Sequence, residues 1–375
     1  MDIEKSRELF PIVKNRIFLN HAAQSPLPKP VAEVMRRYIE DFENFGFSQL
    51  EGDYGKSLFA NLINAKPEEI ALVENTSTGL NIVANMLRYP RGSKVVTTDL
   101  EYPSVVYPWL RKGLGVNVHY VKNVEGMILL DDIERDVDDK TLAVVISHVE
   151  YVNGFRNDLR EISKIAHEHG AYLIVDAIQS AGIIPIDVKR DGVDFLATAC
   201  YKWLLGPSGA GYLYVKEELI ENFEPPFIGW ASVKPEVFET LDLWDIWNLR
   251  LSENASRFEV GSPSAISFIG ASEAIKMLLK LGIRQIEERV LKLTDRLINS
   301  LKALGLQLQT PEDPNCRSGI INFKVKNLKE IMGELRRKDI IVSARANGIR
   351  VSPHFYNTEE EIDKLVNEVK RCINV

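Results

Sequence analysis

Residues 171–215 read AYLIVDAIQSAGIIPIDVKRDGVDFLATACYKWLLGPSGAGYLYV, and two features of that stretch decide the fold class. The runs 171–175 (AYLIV), 193–198 (VDFLAT) and 211–215 (GYLYV) are apolar at consecutive positions rather than alternate ones. That is the pattern of strands covered on both faces, as in a largely parallel sheet. The first two runs also each lead into a reactive side chain, Asp176 and Lys202. In open α/β sheets ligands bind beyond the carboxyl ends of the strands, which is where these two side chains fall.

Working outward, runs of the same kind recur at 70–73 (IALV), 94–98 (KVVTT), 116–121 (VNVHYV) and 142–147 (LAVVIS). Helical patterns lie between them at roughly 78–89, 103–113 and 158–169, giving the alternating rhythm of an open α/β sheet. Past residue 217 the rhythm stops. Residues 222–262 are rich in Pro, Trp and Glu without a clear period, and a helical stretch from about 264 to 304 is interrupted near Gly282. Strands at 319–325, 340–343 and 349–352 and a terminal helix from about 358 complete the chain. The expected architecture is α/β: a mainly parallel seven-stranded sheet with helices on both faces, spanning 15–260, and a smaller α+β unit at 261–375 on which residues 1–14 pack. Substrate specificity is expected from loops at 40–56 and 222–250.

The 375 residues carry 46 Lys+Arg against 53 Asp+Glu, a net charge of −7, so nucleic-acid and anionic-membrane surfaces, which need excess cations, are not expected. Hydrophobic residues at 45% and charged residues at 26% describe an ordinary globular chain. Three cysteines, Cys200, Cys316 and Cys372, form no CxxC pair and no zinc-type spacing, which suggests free thiols in a reducing compartment. The charged start MDIEKSRELFPIVKNR lacks an apolar signal region, and no run of apolar residues is long enough to span a bilayer. A cytoplasmic location is expected.

Five segments carry candidate chemistry. Glu74-Asn75-Thr76-Ser77-Thr78-Gly79 opens a helix directly after a strand, and reads equally as a cap or as an anion site built from free N–H groups and hydroxyls. Asp176 ends a strand, either as a buried carboxylate seeking a cation or as a turn cap. Lys202, flanked by Trp203, Leu204 and Leu205, is a Schiff-base former if partly buried and a snorkelling side chain if not. The run Arg257-Phe258-Glu259-Val260-Gly261-Ser262-Pro263 places a hydroxyl before a helix. Arg345 and Arg350 flank a Gly turn at 348, either gripping a carboxylate or making surface ion pairs. Taken in order, the set suits pyridoxal phosphate, which needs an amine, an anion at its ring nitrogen, a phosphate cup and a cation for the substrate carboxylate.

With VDAIQSAG, YKWLLGPSGAGYLYV, RFEVGSPS and IRVSPHFYNTEEE in place, the chain resembles, from about Ile17 to about Asp363, the class V aminotransferase family of fold-type I pyridoxal-phosphate enzymes, which includes cysteine desulfurases, selenocysteine lyases and isopenicillin N epimerase. The resemblance implies that Lys202 carries the cofactor and moves the Cα proton. It implies that Asp176 pairs with the ring nitrogen, that Gln179 meets the phenolic oxygen, and that Thr76 and Ser77 hold the phosphate. Tyr102 would stack on the ring, Arg350 would bind the substrate carboxylate with Arg345 as a second candidate, and Ser262 would reach the neighbouring site of a homodimer. The substrate implied is an amino acid.

The departures from the desulfurase pattern are Tyr201 in place of His, Ala199 in place of Ser, Tyr151 in place of Asn, and no cysteine-bearing lid loop between Arg345 and Arg350. Desulfuration needs a placed thiolate, so transamination or epimerisation ranks above cysteine desulfurase or selenocysteine lyase activity. A catalytically silent relative ranks lower still. A nicotinamide dehydrogenase is disfavoured because ENTSTGLN has one glycine where the dinucleotide fingerprint needs three.

Overall fold

The structure, a computed structural model, describes residues 2–50, 52–234 and 247–373. Part of the proposed specificity loop 222–250 therefore lies outside the described residues, as do the last two residues of the C-terminal unit. The chain opens with helices α1 (Ile3–Arg7), α2 (Lys29–Phe45) and α3 (Lys56–Ile63), with a two-residue strand β1 (Ile17–Phe18) between the first two. Residues 40–45, expected in a loop, are the last turns of α2; the loop proper starts at Gly46, which caps the helix at φ +77°.

The large sheet is built from β2 (Ile70–Val73), β3 (Lys94–Thr98), β4 (Asn117–Val121), β5 (Thr141–Ser147), β6 (Tyr172–Asp176), β7 (Phe195–Ala199) and β8 (Gly211–Val215), in the order β2-β8-β7-β6-β5-β3-β4. All pairings are parallel except those of β8, which runs antiparallel to both β2 and β7. The consecutive apolar runs have a simple cause. Val144, Ile146, Leu173, Val175 and Leu196 enter one core layer, while Val145, Ile174, Phe195 and Ala197 enter the layer on the opposite face. A strand with period-2 geometry buried on both sides must be apolar at every position.

Helices α4 (Thr76–Met86), α5 (Pro103–Val106), α6 (Leu130–Asp136) and α7 (Leu159–Glu168) connect these strands, and α8 (Glu217–Ile220) follows β8. In α7, Asp158 accepts the Glu161 N–H at the start, and Leu159, Ile162, Ser163 and Ala166 face the core, the stripe expected of a surface helix. The helix expected at 103–113 is instead α5 followed by 3₁₀ turns at Tyr107–Leu110 and Lys112–Leu114. Pro108 has no N–H to extend an α-helix, and Gly113 lowers the propensity further.

Helices α9 (Ala265–Leu281) and α10 (Ile283–Ala303) part at Gly282, whose φ is +84°. Beyond them β9 (Ile321–Lys324), α11 (Leu328–Arg337), β10 (Ile340–Ile341), β11 (Ser343–Arg345), β12 (Gly348–Val351) and α12 (Glu359–Ile373) form a second layer with its own core. Its three-stranded sheet runs β11-β12-β9, and β1 pairs parallel with β10. The N-terminal segment is fastened here too: Arg7 bonds Glu361 at 2.8 Å and the Tyr356 carbonyl at 2.9 Å, and Phe10 stacks on Tyr356. No described helix is long and apolar enough to cross a membrane.

Candidate active site

Strand β7 ends at Ala199, and the chain turns at once through Cys200 and Tyr201 to Lys202. The turn is clamped from several sides. Trp203 donates its indole N–H to Gln179 Oε1 at 2.8 Å, its carbonyl accepts from His354 Nε2 at 3.1 Å, and the Tyr201 carbonyl accepts the Ser25 N–H at 2.8 Å. Gly182 lies so close that a Cβ there would sit 2.4 Å from the Trp203 carbonyl oxygen. Leu205, fully buried, is held at φ +59°, a costly conformation for a bulky residue that persists only when its surroundings fix it. His354 is neutral: burial pushes it down to about 4, and its Nδ1 accepts the Phe355 N–H. A neutral ring bearing its proton on Nε2 is what the bond to Trp203 requires.

Lys202 is 9% exposed. Its Nζ sits 5.8 Å from the Tyr102 ring centroid and 5.9 Å from that of Tyr201. Burial lowers its pKa to about 8; Asp176 opposes the fall, while Arg350 and Arg345 add to it. Asp176 ends β6 on the adjacent strand, accepts the Ile178 N–H at 2.8 Å, and is pushed up to about 6 by burial in spite of that bond and Lys202. The amine is therefore released near neutrality and the carboxyl still ionises there, the poise that nucleophilic and general-base chemistry needs.

Arg350 lies on β12 with 1% exposure. It donates from Nη1 to the Tyr151 carbonyl at 2.7 Å and from Nε to Ser343 Oγ at 3.2 Å, and burial lowers its pKa to about 10. Among the described residues no carboxylate forms a salt bridge with it. A buried guanidinium with unused donors and no counter-ion is a carboxylate receptor. Arg345, by contrast, is exposed at the rim and donates to the Ala344 carbonyl.

The turn between the two arginines is not the glycine turn read from the sequence. Ala346 and Asn347 occupy it, at φ +47° and +58°, as a two-residue hairpin of the primed type. Gly348 is needed for close approach, since a Cβ there would lie 2.4 Å from both Asn322 Oδ1 and Gln309 Nε2.

Thr76 is the first residue of α4, and its Oγ1 is buried without a hydrogen-bond partner. Asn75 caps the helix by accepting the Thr78 N–H, and Ser77 Oγ lies 2.7 Å from Ser104 Oγ. The helix start is pressed onto β7, because a Cβ on Gly79 would stand 2.9 Å from that of Ala197. Free first-turn N–H groups plus an orphaned buried hydroxyl form a cradle for an anion such as phosphate.

Lys202, Asp176, Tyr102, Arg350 and Arg345 thus form one electrostatically connected group. Tyr102 is half exposed and meets Tyr151 edge-on at 5.1 Å. Gln179 is largely engaged within the fold. Its amide oxygen takes the Trp203 indole and an amide N–H goes to the Ala22 carbonyl at 3.0 Å, leaving one N–H for any ligand. Ser262 is exposed on the loop after a 3₁₀ turn and lines, with Glu74 and Thr78, a recess of about 230 Å³.

Sequence reasoning missed Trp203 and His354 as clamps, the Tyr151 carbonyl as an arginine anchor, and the buried Glu101 and Glu150. None carries a periodic or spacing signal, although a charged residue beside a strand end was a visible cue for the two glutamates. The thiols are elsewhere. Cys200 is fully buried against Gly206 and its thiol is pushed up by burial. Cys316 lines a cavity of about 890 Å³ with His148 and Arg156, away from Lys202, and its thiol is raised by burial and Asp313. Cys372 lies near the end of α12.

A family model described as "Aminotransferase class-V" matches residues 17–365. An uncharacterized aminotransferase of Bacillus subtilis, YcbU, is 32% identical over 370 positions covering 98% of this chain and 97% of that protein. A probable cysteine desulfurase of Methanothermobacter thermautotrophicus is also 32% identical, over 399 positions covering 97% and 96%. The solved apo structure of a cysteine desulfurase from Thermococcus onnurineus NA1 superposes with a TM-score of 0.90 at 30% identity, covering 99% and 98% of the two chains.

Proposed function

The chain belongs to the class-V aminotransferase family, and we propose that it is a pyridoxal-phosphate enzyme working at the α-carbon of an amino acid, an aminotransferase or an epimerase of the isopenicillin N type rather than a thiol-dependent desulfurase. The observation that carries this reading is the pairing of a released, buried Lys202 amine and a counter-ion-free Arg350 with a two-residue hairpin at Ala346–Asn347 that bears no thiol. The alignment with YcbU runs over 370 positions, whereas that with the probable desulfurase runs over 399, more than this chain's own length. The longer alignment means that the desulfurase carries extra residues opposite gaps in this chain.

Pyridoxal phosphate, when bound, supplies an electron sink that acidifies the Cα–H bond of an attached amino acid. Thr76, Ser77 and the start of α4 would hold its phosphate, Asp176 its ring nitrogen, and Tyr102 would cover its face. Lys202 takes the Cα proton on Nζ and returns it to one position or another, a task suited to an amine with a pKa near the working pH. Arg350 fixes the carboxylate and so decides which substrate bond faces Nζ. A homodimer is part of the reading: Ser262 sits beside exposed apolar groups, with Val260 47% and Trp230 60% exposed, and a Cβ on Gly261 would lie 3.5 Å from the Trp230 indole nitrogen.

The test is to incubate the holoenzyme with each common amino acid, with and without a 2-oxo-acid acceptor in deuterated water, and identify the products. Amino-group transfer or deuterium at Cα is expected, with no sulfide from cysteine. Sulfide release that vanishes in Cys316→Ser would establish desulfuration instead. Arg350→Gln is expected to raise the substrate KM about 100-fold, the equivalent of ~3 kcal/mol for a truncated buried charge partner. Capture of pyridoxal phosphate by the apo-protein should be nearly unchanged.

A further inference from the structure

The strand ends that present Asp176 also enclose two carboxyl groups that the chemistry above does not use. Glu101, just after β3, accepts the Ser147 N–H on Oε1 and the Ser147 hydroxyl on Oε2, both at 2.6 Å, and Ser147 is the register partner of Asp176. Glu150, in the loop after β5, is 0% exposed. Its Oε1 accepts one bond, from Asn157 Nδ2 at 3.1 Å, and its Oε2 is buried with no partner. Asn157 Nδ2 also donates to the Ser147 carbonyl at 2.9 Å, so one amide and one serine tie the carboxyls together.

The charged groups that act most strongly on Glu150 are acidic: Glu101, Asp176 and Asp99. The cations nearby do not balance them. Lys202 faces Asp176 and Arg156 pairs with Glu287 at 2.8 Å, while Arg350, which keeps its charge unpaired, is not among the groups that act most strongly on Glu150. His148, two residues before Glu150, is held neutral by burial, its pKa near 3. Buried carboxylates that act on one another, as Glu150, Glu101 and Asp176 do, cannot all ionise freely.

The donors decide which one holds its proton most firmly. Glu101 receives bonds from the Ser147 backbone and hydroxyl and from the Tyr102 backbone. Asp176 has the Ile178 N–H as a donor and the charge of Lys202 acting on it through space. Glu150 has one longer bond and an oxygen with none. We propose that Glu150 is a protonated carboxylic acid at neutral pH and acts as a positioning residue for Asp176, staying neutral so that Asp176 can carry the charge that meets the cofactor's ring nitrogen. The proposal deepens the pyridoxal-phosphate reading and rests on it for the last step only. Burial pushes Glu150 well above the usual carboxylate range, and lifts Glu101 to about 8 and Asp176 to about 6.

The experiment uses infrared difference spectroscopy of the full-length apo-protein at neutral pH. A carbonyl stretch of a buried protonated carboxylic acid is expected in the parent. It should lose intensity in Glu150→Gln and keep the Glu150 component in Glu101→Gln. A parent without the band, or a Glu150→Gln protein with the band undiminished, overturns the proposal. Thermal unfolding gives a second readout. The native chain keeps a proton on Glu150 that the unfolded chain releases above about pH 4.5, so parent stability falls more steeply as pH rises than that of Glu150→Gln, in which only Glu101 and Asp176 still contribute. The Tm advantage of Glu150→Gln should therefore grow from about pH 5 to about pH 8, and a constant difference overturns the proposal. In the holoenzyme, the alkaline step in the cofactor's absorption should shift in Glu150→Gln. A protein that passes both apo tests but fails to capture pyridoxal phosphate would refute the cofactor reading and leave Glu150's protonation standing.

Discussion

Lys202→Ala is expected to lower turnover by ~10⁴-fold or more, because one side chain supplies both the covalent anchor and the proton carrier. Borohydride treatment of the parent holoenzyme should fix the cofactor to the peptide containing Lys202, and the variant should trap none. The structure adds a pH signature. Burial brings this amine to about 8, Asp176 pulls it upward, and the two arginines pull it down. Only the neutral amine attacks an aldehyde. The rate at which apo-protein captures pyridoxal phosphate should therefore climb about tenfold per pH unit below about 8 and level off above it. A capture rate independent of pH, or a variant with more than ~1% of parental turnover, would count against Lys202 in this role.

Asp176→Asn should reduce kcat by ~10²- to 10⁴-fold with little change in KM, the size of effect seen when a preorganised electrostatic partner is removed. The substitution keeps the shape and the acceptor for the Ile178 N–H, which the carboxylate receives at 2.8 Å, and deletes only the charge. Folding should not suffer. The carboxyl's pKa rises on burial to about 6, so the native state holds a proton that the unfolded chain has released, and ionised Asp176 costs roughly 3 kcal/mol of stability above that range. Calorimetry should find the variant's advantage over the parent growing from about pH 4 to about pH 6 and levelling off above that. Lost activity together with lost stability would instead mean that Asp176 is a framework residue.

The alternation of buried strands and amphipathic helices was legible because burial on both faces imprints itself on every residue of a strand. The order of reactive side chains was legible because each one lies at a strand or helix end. The failures are equally particular. Residues 103–113 broke into short turns at Pro108, and the Arg345–Arg350 turn fell on Ala346 and Asn347 instead of Gly348. Local composition suggested otherwise in both cases, and packing overruled it: Gly348 is reserved for contact with Asn322 and Gln309.

By itself, then, the sequence determined the layers, the strand that presents Lys202, the strand that presents Asp176, and the helix start that offers Thr76. These depend on periodicity and on neighbours in the chain, which a linear string records. Tertiary structure alone decided that Gln179 serves Trp203 and that Ile17 pairs with Ile340. It also decided that Arg350 is buried without a counter-ion while Arg345 stays in water, and that Glu150 is shut among acids. Charge state and hydrogen-bond allegiance depend on which distant groups close around an atom and exclude water from it, and nothing in the local pattern of a chain encodes that enclosure.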